Sequence, residues 1–277
     1  MLSKILASFF CVAGLACSVA FAADANTAAA KAVFDKHAAS VVTIKVITSV
    51  KITYRGREMP SRDNESEVLG TVLNDAGLIV TSNTAADPTA MRGAGRPGVK
   101  IDSELKATKL IQKDGTELAL KIVLRDKDLD LMFLRAEKKQ ALPHLGVKQK
   151  GPELAIAERV IMLSRLEAVG DRQASVLLSA VEAVVDKPRR FYITNIGNSM
   201  RSLGCPVFTT GGKLVGIVII RMNRGGRVGM LPVILPIEDV LDGVEQVKEN
   251  DAEDAGDEDD KKPADTPTVE KKAAAKK

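Results

Sequence analysis

Between Lys31 and Lys248 the apolar residues fall in short runs rich in Val, Ile and Leu, separated by clusters of turn formers. The run Val41-Val42-Thr43-Ile44-Lys45-Val46-Ile47 is mostly β-branched, which predicts a strand. Runs of the same character cover Leu69 to Leu73, Leu78 to Thr81, Leu118 to Leu124 and Leu131 to Leu134. They continue at Arg159 to Leu163, Ser175 to Val185, Phe191 to Thr194, Val207-Phe208, Lys213 to Ile220 and Val228 to Leu235. Asn74-Asp75-Ala76-Gly77, Asp114-Gly115, Gly151-Pro152 and Gly211-Gly212 punctuate them as turns. Ten or more short strands without long intervening helices predict an all-β barrel or sandwich.

Helical periodicity is confined to the two ends. Residues 29–39 predict one helical turn or two, with Val33 and Phe34 on the apolar side. From Pro236 to Lys248, residues Ile237, Val240, Leu241, Val244 and Val247 share one face of a helix. The polar stretch Lys51 to Glu67 and the Gly/Pro-rich stretch Pro88 to Gly98 read as long surface loops, of the kind that often shape a site.

Composition changes this picture at the termini. Lys4, the apolar run Ile5 to Ala20 and the small-x-small triplet Ala20-Phe21-Ala22 form an export signal cleaved after Ala22. A lipoprotein anchored through Cys17 is the alternative, although Gly14 stands where a lipobox prefers an aliphatic residue. No other window approaches the roughly 20 apolar residues that span a bilayer. The chain after residue 22 is thus expected to be soluble and exported, periplasmic or secreted. From Glu249 to Lys277 ten acidic residues face six Lys with almost nothing apolar, which predicts a disordered tail of net charge −4. The rest, residues 23–248, then carries +7. The tail is either a solvated appendage or a screen for that basic surface.

The 277 residues are 45% hydrophobic but only 3% aromatic, with no Trp, so the core is expected to be built of Val, Ile, Leu and Ala. Two His and three Cys leave few residues for metal or nucleophilic chemistry. Signal cleavage removes Cys11 and Cys17, and Cys205 alone cannot form an intrachain disulfide. No metal-ligand spacing, phosphate loop or solenoid repeat is present. Neither a metal nor another cofactor is expected. Nucleic-acid binding is not expected either, because the basic residues lack interleaved aromatics.

Several segments resemble the trypsin-like serine proteases of the HtrA/Deg family. Val68-Leu69-Gly70-Thr71-Val72-Leu73-Asn74-Asp75-Ala76-Gly77-Leu78-Ile79-Val80-Thr81-Ser82-Asn83-Thr84 lies without a gap on the segment leading into the catalytic His. Asp114-Gly115-Thr116-Glu117, Lys121-Ile122-Val123, Arg125-Asp126 and Asp130-Leu131 are similar to the stretch bearing the catalytic Asp. Phe191 to Val207 is similar to the stretch bearing the nucleophile, Gly211 to Ile217 to the strand after it, and Leu235-Pro236-Ile237 to the barrel's end. The likeness covers roughly residues 30–248, and the order and spacing of the segments make the set fairly specific. It implies a trypsin-like double β-barrel over residues 23–248, with a short N-terminal helix and a C-terminal helix. Only the charged tail follows, so the PDZ module usual in the family is not expected.

At the catalytic positions the resemblance departs from the family. The gapless match puts Thr84 where the family has His, and threonine cannot accept a proton near neutral pH. His37 falls in the N-terminal helix and His144 in the segment connecting the barrels, so both read as surface or structural residues. Gly197-Asn198-Ser199 spells the family's Gly-Asn-Ser, but the Gly-Gly-Pro that should follow corresponds to Gly204-Cys205-Pro206, four residues late. Counted from Phe191, the nucleophile position is Leu203, and Arg201 and Cys205 stand at two glycine positions of the oxyanion turn. Asp130 remains, read as a structural hydrogen-bonding residue or loop cap. Ser199, Ser202 or Cys205 would be fallback nucleophiles, each without a nearby His.

Arg221, Arg224 and Arg227 form a basic hairpin after the strand that lines the family's substrate cleft. With Lys187, Arg189, Arg190 and Arg201 they are candidate binding residues for acidic peptides, anionic glycans or the chain's own tail, or else a solvated turn. The resulting expectation is a catalytically silent homologue that binds an extended peptide or protein, a related active protease included. An endopeptidase using Ser199 or Ser202, and a structural component of an envelope assembly, are the alternatives.

Overall fold

The β-branched run that starts at Val41 does form a strand, and it continues well past Ile47 because partners flank it on both sides. In the computed structural model, residues 25–87, 98–195, 200–222 and 229–259 are described. A helix at 25–37 (α1) leads through a 3-10 turn, Ala38–Ser40, into β1 (Val41–Tyr54). Then come β2 (Arg57–Glu58), β3 (Arg62–Val72), β4 (Ile79–Ser82), the short helix α2 (Asn83–Ala86), β5 (Val99–Ile111), β6 (Glu117–Asp126) and β7 (Leu131–Ala136). Their order is β2-β1-β3-β4-β7-β6-β5, and pairing of β1 with β5 closes six of them into a barrel.

The second barrel is built from β8 (Arg159–Arg165), β9 (Ala174–Val185), β10 (Phe191–Thr194), β11 (Pro206–Thr209), β12 (Leu214–Met222) and β13 (Met230–Pro236). It closes in the order β10-β13-β12-β11-β8-β9. The fold is therefore all-β with two six-stranded barrels, as the strand count and the resemblance imply. The final helix, α3 (Ile237–Asp259), follows β13 directly.

Three elements differ from the sequence expectation. The stretch Lys51 to Glu67 is a β-ribbon rather than a loop: β1 runs to Tyr54 and pairs with β3 from Val50↔Arg62 onward. Its polar residues are exposed at the tip, so no hydrophobic alternation marks the strands. Most of β5 is likewise exposed on one face and half-buried on the other, with Lys100, Asp102, Glu104 and Lys106 alternating against Val99, Ile101, Ser103 and Leu105. That period of two is the signal that identifies the strand. The C-terminal helix reaches Asp259 instead of ending at Lys248, and Arg135 in β7 holds Asp251 through two bonds of 3.0 and 2.8 Å. Residues 1–24, Pro88 to Arg96 of the second loop with Pro97, and the tail from Asp260 lie outside the described residues.

The core matches its aliphatic composition, with Tyr192, Phe133 and Phe208 its largest fully buried side chains. Val33 is buried and Phe34 half-buried, and α1 packs them against Ile161, Leu163 and Phe208 of the second barrel. The apolar face of α3, Ile237, Val240, Val244 and Val247, packs with Leu73, Leu78, Leu131 and Phe133 of the first barrel and with Ile217 and Ile219 of the second. The helix thus fastens the two barrels together. Burial of such side chains contributes about 1.5–3 kcal/mol each, which is why this face needs no disulfide to hold it.

Candidate functional site

The site lies where the two barrels face each other, and its first component is the turn from β4 into α2. Ser82 caps α2, a role for which a short hydroxyl side chain is favoured. Its Oγ accepts the Ala85 amide at 3.1 Å and donates its own proton to Asp130 Oδ2 at 2.6 Å. The cap leaves the Thr84 amide pointing at Asp130, to which it donates at 2.7 Å on Oδ1. The Thr84 hydroxyl bonds the same carboxylate.

Asp130 precedes β7 with φ of 59°, in the left-handed region that Asp tolerates better than most residues. Its main-chain carbonyl accepts the Asn83 amide at 2.9 Å. Its Oδ2 also accepts the Ile220 amide of β12 at 2.9 Å, so one buried carboxylate ties β4, α2 and the second barrel together. Burial pushes this carboxyl above the ordinary carboxylate range, against the opposing pull of the Ser82, Thr84 and Ile220 donors. Neither imidazole is among its partners.

Leu203, which the resemblance singles out, follows a 3-10 turn at Met200–Ser202 and is 1% exposed. It packs in a cluster with Leu69, Met162, Cys205 and Val218, against which Ala85 also rests. Gly204, with φ of 82°, comes so close to the first barrel that a Cβ there would lie 2.2 Å from the Leu69 carbonyl oxygen. Its amide donates to Val218 O at 2.8 Å, and its carbonyl accepts the Thr71 hydroxyl at 2.7 Å. The loop is thereby stitched to both barrels, and glycine is required where it crosses.

The other candidate residues are dispersed. Ser202 is buried, and Ser199 lies outside the described residues together with Gly197 and Asn198. Cys205 is fully buried, and that burial pushes its thiol up to about 12, with only a weak opposing bond from Ser164. A thiol in such a place is not a thiolate at neutral pH. His37 stacks on Phe208 with ring centroids 5.0 Å apart, and burial first, then Lys36, holds its imidazole below the usual value. His144 Nδ1 lies 3.1 Å from the Leu142 carbonyl in the connection between the barrels.

Among the described members of the expected basic cluster, Arg189, Arg190 and Arg201 are compensated by carboxylates. Arg221 donates to Asp128 O at 3.0 Å and lies over the Phe191 ring. Arg189 pairs with Asp239, and Arg190 with Glu153 at 2.6 Å and Asp186 at 2.9 Å. Arg201 pairs with Glu167 at 3.0 Å. Arg224 and Arg227 lie outside the described residues. Among the described residues no group of three His, Cys, Asp or Glu side chains converges as a metal site, and no helix is long and apolar enough to cross a membrane.

Sequence reasoning missed one component of this region. Val68 and Leu69 of β3 and Leu166 of the second barrel share a cavity with Leu203. These residues are scattered over more than a hundred positions, and no motif links them.

No protein-family model matches this chain, and no curated protein matches it. Among solved structures it is similar to the HtrA-type protease AlgW with a decapeptide, at a TM-score of 0.56 and 14% identity over 79% of this chain and 67% of that one. It is also similar to the same protease with a tripeptide, at a TM-score of 0.51 and 15% identity over 78% of this chain and 62% of that one. At such identities the likeness is one of fold, and with the two closed barrels it shows that this chain has the trypsin-like double β-barrel fold of HtrA-type proteases.

Proposed function

We propose that this chain is an exported double-barrel protein without peptidase activity, which binds an extended peptide or protein segment along the cleft between its barrels. The observation that carries the reading is the environment of Asp130. Its two oxygens are taken by Ser82, Thr84 and Ile220, where an active triad would present the carboxylate to an imidazole. A buried Leu203 at the nucleophile position supports the same reading, as do the burial of Ser202 and the raised thiol of Cys205. Peptide binding draws support from the fold neighbours, which were solved with a decapeptide and a tripeptide. Main-chain pairing with an exposed strand is the mode such a cleft favours.

Treatment of the protein with a fluorophosphonate serine probe, alongside casein hydrolysis, tests the loss of catalysis. Neither labelling nor hydrolysis is expected. Robust labelling that disappears in Ser199→Ala or Ser202→Ala overturns the reading in favour of a displaced-serine endopeptidase. Capture experiments with and without residues 249–277 test the binding role: recovery of no peptide or protein by either form removes it.

A further inference from the structure

A cavity of about 580 Å³ opens where α1, the connection between the barrels and the β11–β12 turn meet. It shares no lining residue with the region around Asp130 and Leu203. Four exposed lysines surround it: Lys36 from α1, Lys148 and Lys150 from the connection, and Lys213 from the turn. Among the described residues none of the four is in an ion pair, whereas Lys45, Lys106 and Lys109 each meet a carboxylate at 2.8 Å. No Asp or Glu lines the cavity. Like charges gathered around a concave wall focus a positive potential, which a bound anion relieves.

The backbone that carries these lysines is held from both barrels. In the connection, the Leu145 amide donates to Val72 O at 3.0 Å, and the Gly146 and Val147 amides donate to Leu73 O at 3.0 and 3.2 Å. At Gly151 a Cβ would lie 3.0 Å from the Leu214 and Val215 carbonyl oxygens, so the connection lies directly on β12. The Gly212 amide closes the turn on Thr209 O at 3.0 Å, and the Thr209 amide donates to Lys213 O at 2.9 Å. Only the ends of the lysine side chains remain to be ordered by a ligand, which keeps the entropic cost of binding low. Between them the cavity is lined by His37, stacked on the buried Phe208, and by the half-buried Leu145 and Leu214.

The kind of cation narrows the ligand. An Arg fork matches a planar carboxylate, whereas ammonium groups act as point charges that gather around a tetrahedral, multiply charged anion. The volume falls within the range of small-ligand sites. We propose that this cavity binds an anion carrying two phosphate groups, held by Lys36, Lys148, Lys150 and Lys213 beside the His37–Phe208 stack. This chemistry occurs in a free diphosphate and in the headgroup of a lipid with two phosphates. The site does not depend on the cleft-binding reading above.

The test is titration of the full chain with pyrophosphate, followed by NMR at the His37 imidazole. Saturation is expected to raise the pH midpoint of His37 by roughly 0.5 or more, because a neighbouring anion favours the charged ring. Citrate, of nearly equal charge, should bind roughly 5-fold more weakly. Lys148→Gln combined with Lys150→Gln alters two exposed side chains and should weaken pyrophosphate at least roughly 10-fold. Lys138→Gln combined with Lys139→Gln removes the same charge from the same connection outside the cavity, and should change the affinity by less than about 2-fold. Equal weakening by the two double variants, equal binding of citrate, an unmoved His37 midpoint, or no saturation by about 10 mM pyrophosphate overturns the proposal. Sedimentation with phosphatidylcholine vesicles containing cardiolipin separates the two sources. Co-sedimentation that pyrophosphate reverses assigns the lipid headgroup, and pyrophosphate binding without co-sedimentation assigns a free diphosphate.

Discussion

Asp130 holds four donors from two barrels on one buried carboxylate, the Ser82 and Thr84 hydroxyls and the Thr84 and Ile220 amides, and truncating it strands them. Asp130→Ala leaves the Ser82 hydroxyl and the Thr84 and Ile220 amides without their acceptor, at about 1–3 kcal/mol for each group that finds no other. The carboxyl also has a pH signature. Its folded pKa is raised above the ordinary 3.8, so the folded chain holds this proton more tightly than the unfolded one. Its contribution to stability is complete below that ordinary value and is lost as pH rises through the folded one. In urea unfolding over an acid-to-neutral pH series, the difference between wild type and Asp130→Ala should therefore shrink as pH rises; a difference that grows would refute the assignment. Cys205 makes a simpler prediction. With its thiol near 12 and no exposed surface, it should resist iodoacetamide in the native protein at pH 8 and react once the chain is denatured. Mass spectrometry distinguishes the two states.

Among the elements, α3 shows how packing overrides local preference. Ala is a better helix former than Gly by about 1 kcal/mol, and on a solvent-facing turn Gly243→Ala would stabilise. Here a Cβ at Gly243 would lie 2.5 Å from the Phe133 ring, at the point where the helix crosses the first barrel. The substitution should therefore destabilise, by about 1–3 kcal/mol, as overpacking does. Thermal melting checks the sign, and a raised Tm would mean the helix stands further from β7. The strands tell a related story. The β-branched runs with buried faces, such as β1, β4, β8 and β12, are legible because burial on one side forces apolar residues into them. The outer part of strand β5 carries charge on one face and half-buried residues on the other, whereas the ribbon's β3 strand carries charge on both, since beyond the barrel it needs no apolar cover. Pairing in the ribbon is satisfied by backbone hydrogen bonds, which no side-chain pattern has to advertise.

At the scale of the whole molecule, the described side chains of the acidic extension of α3 hold to the first barrel through the Arg135–Asp251 pair. The apolar anchors end at Val247, and beyond them the Arg135–Asp251 pair is partly exposed, a geometry worth about 0–1 kcal/mol. Deleting residues 249–277 should accordingly lower the unfolding free energy by no more than about 1 kcal/mol, measured by urea denaturation. A loss several times larger would show that the extension braces the barrels.

What the sequence determined by itself was the strand-rich architecture, the aliphatic core and the helix that follows the last strand. Each is a property of residue type and local period, which the chain carries wherever it folds. The candidate residues Thr84, Asp130 and Leu203 stood out because strands of regular spacing flank them, and the structure joins Thr84 to Asp130. The tertiary structure alone decided that Asp130 spends its carboxylate on Ser82, Thr84 and Ile220, and that Leu203 is covered by Leu69 and Met162. Burial and hydrogen-bond satisfaction belong to pairs of residues brought from different barrels, and a residue's own identity does not contain them.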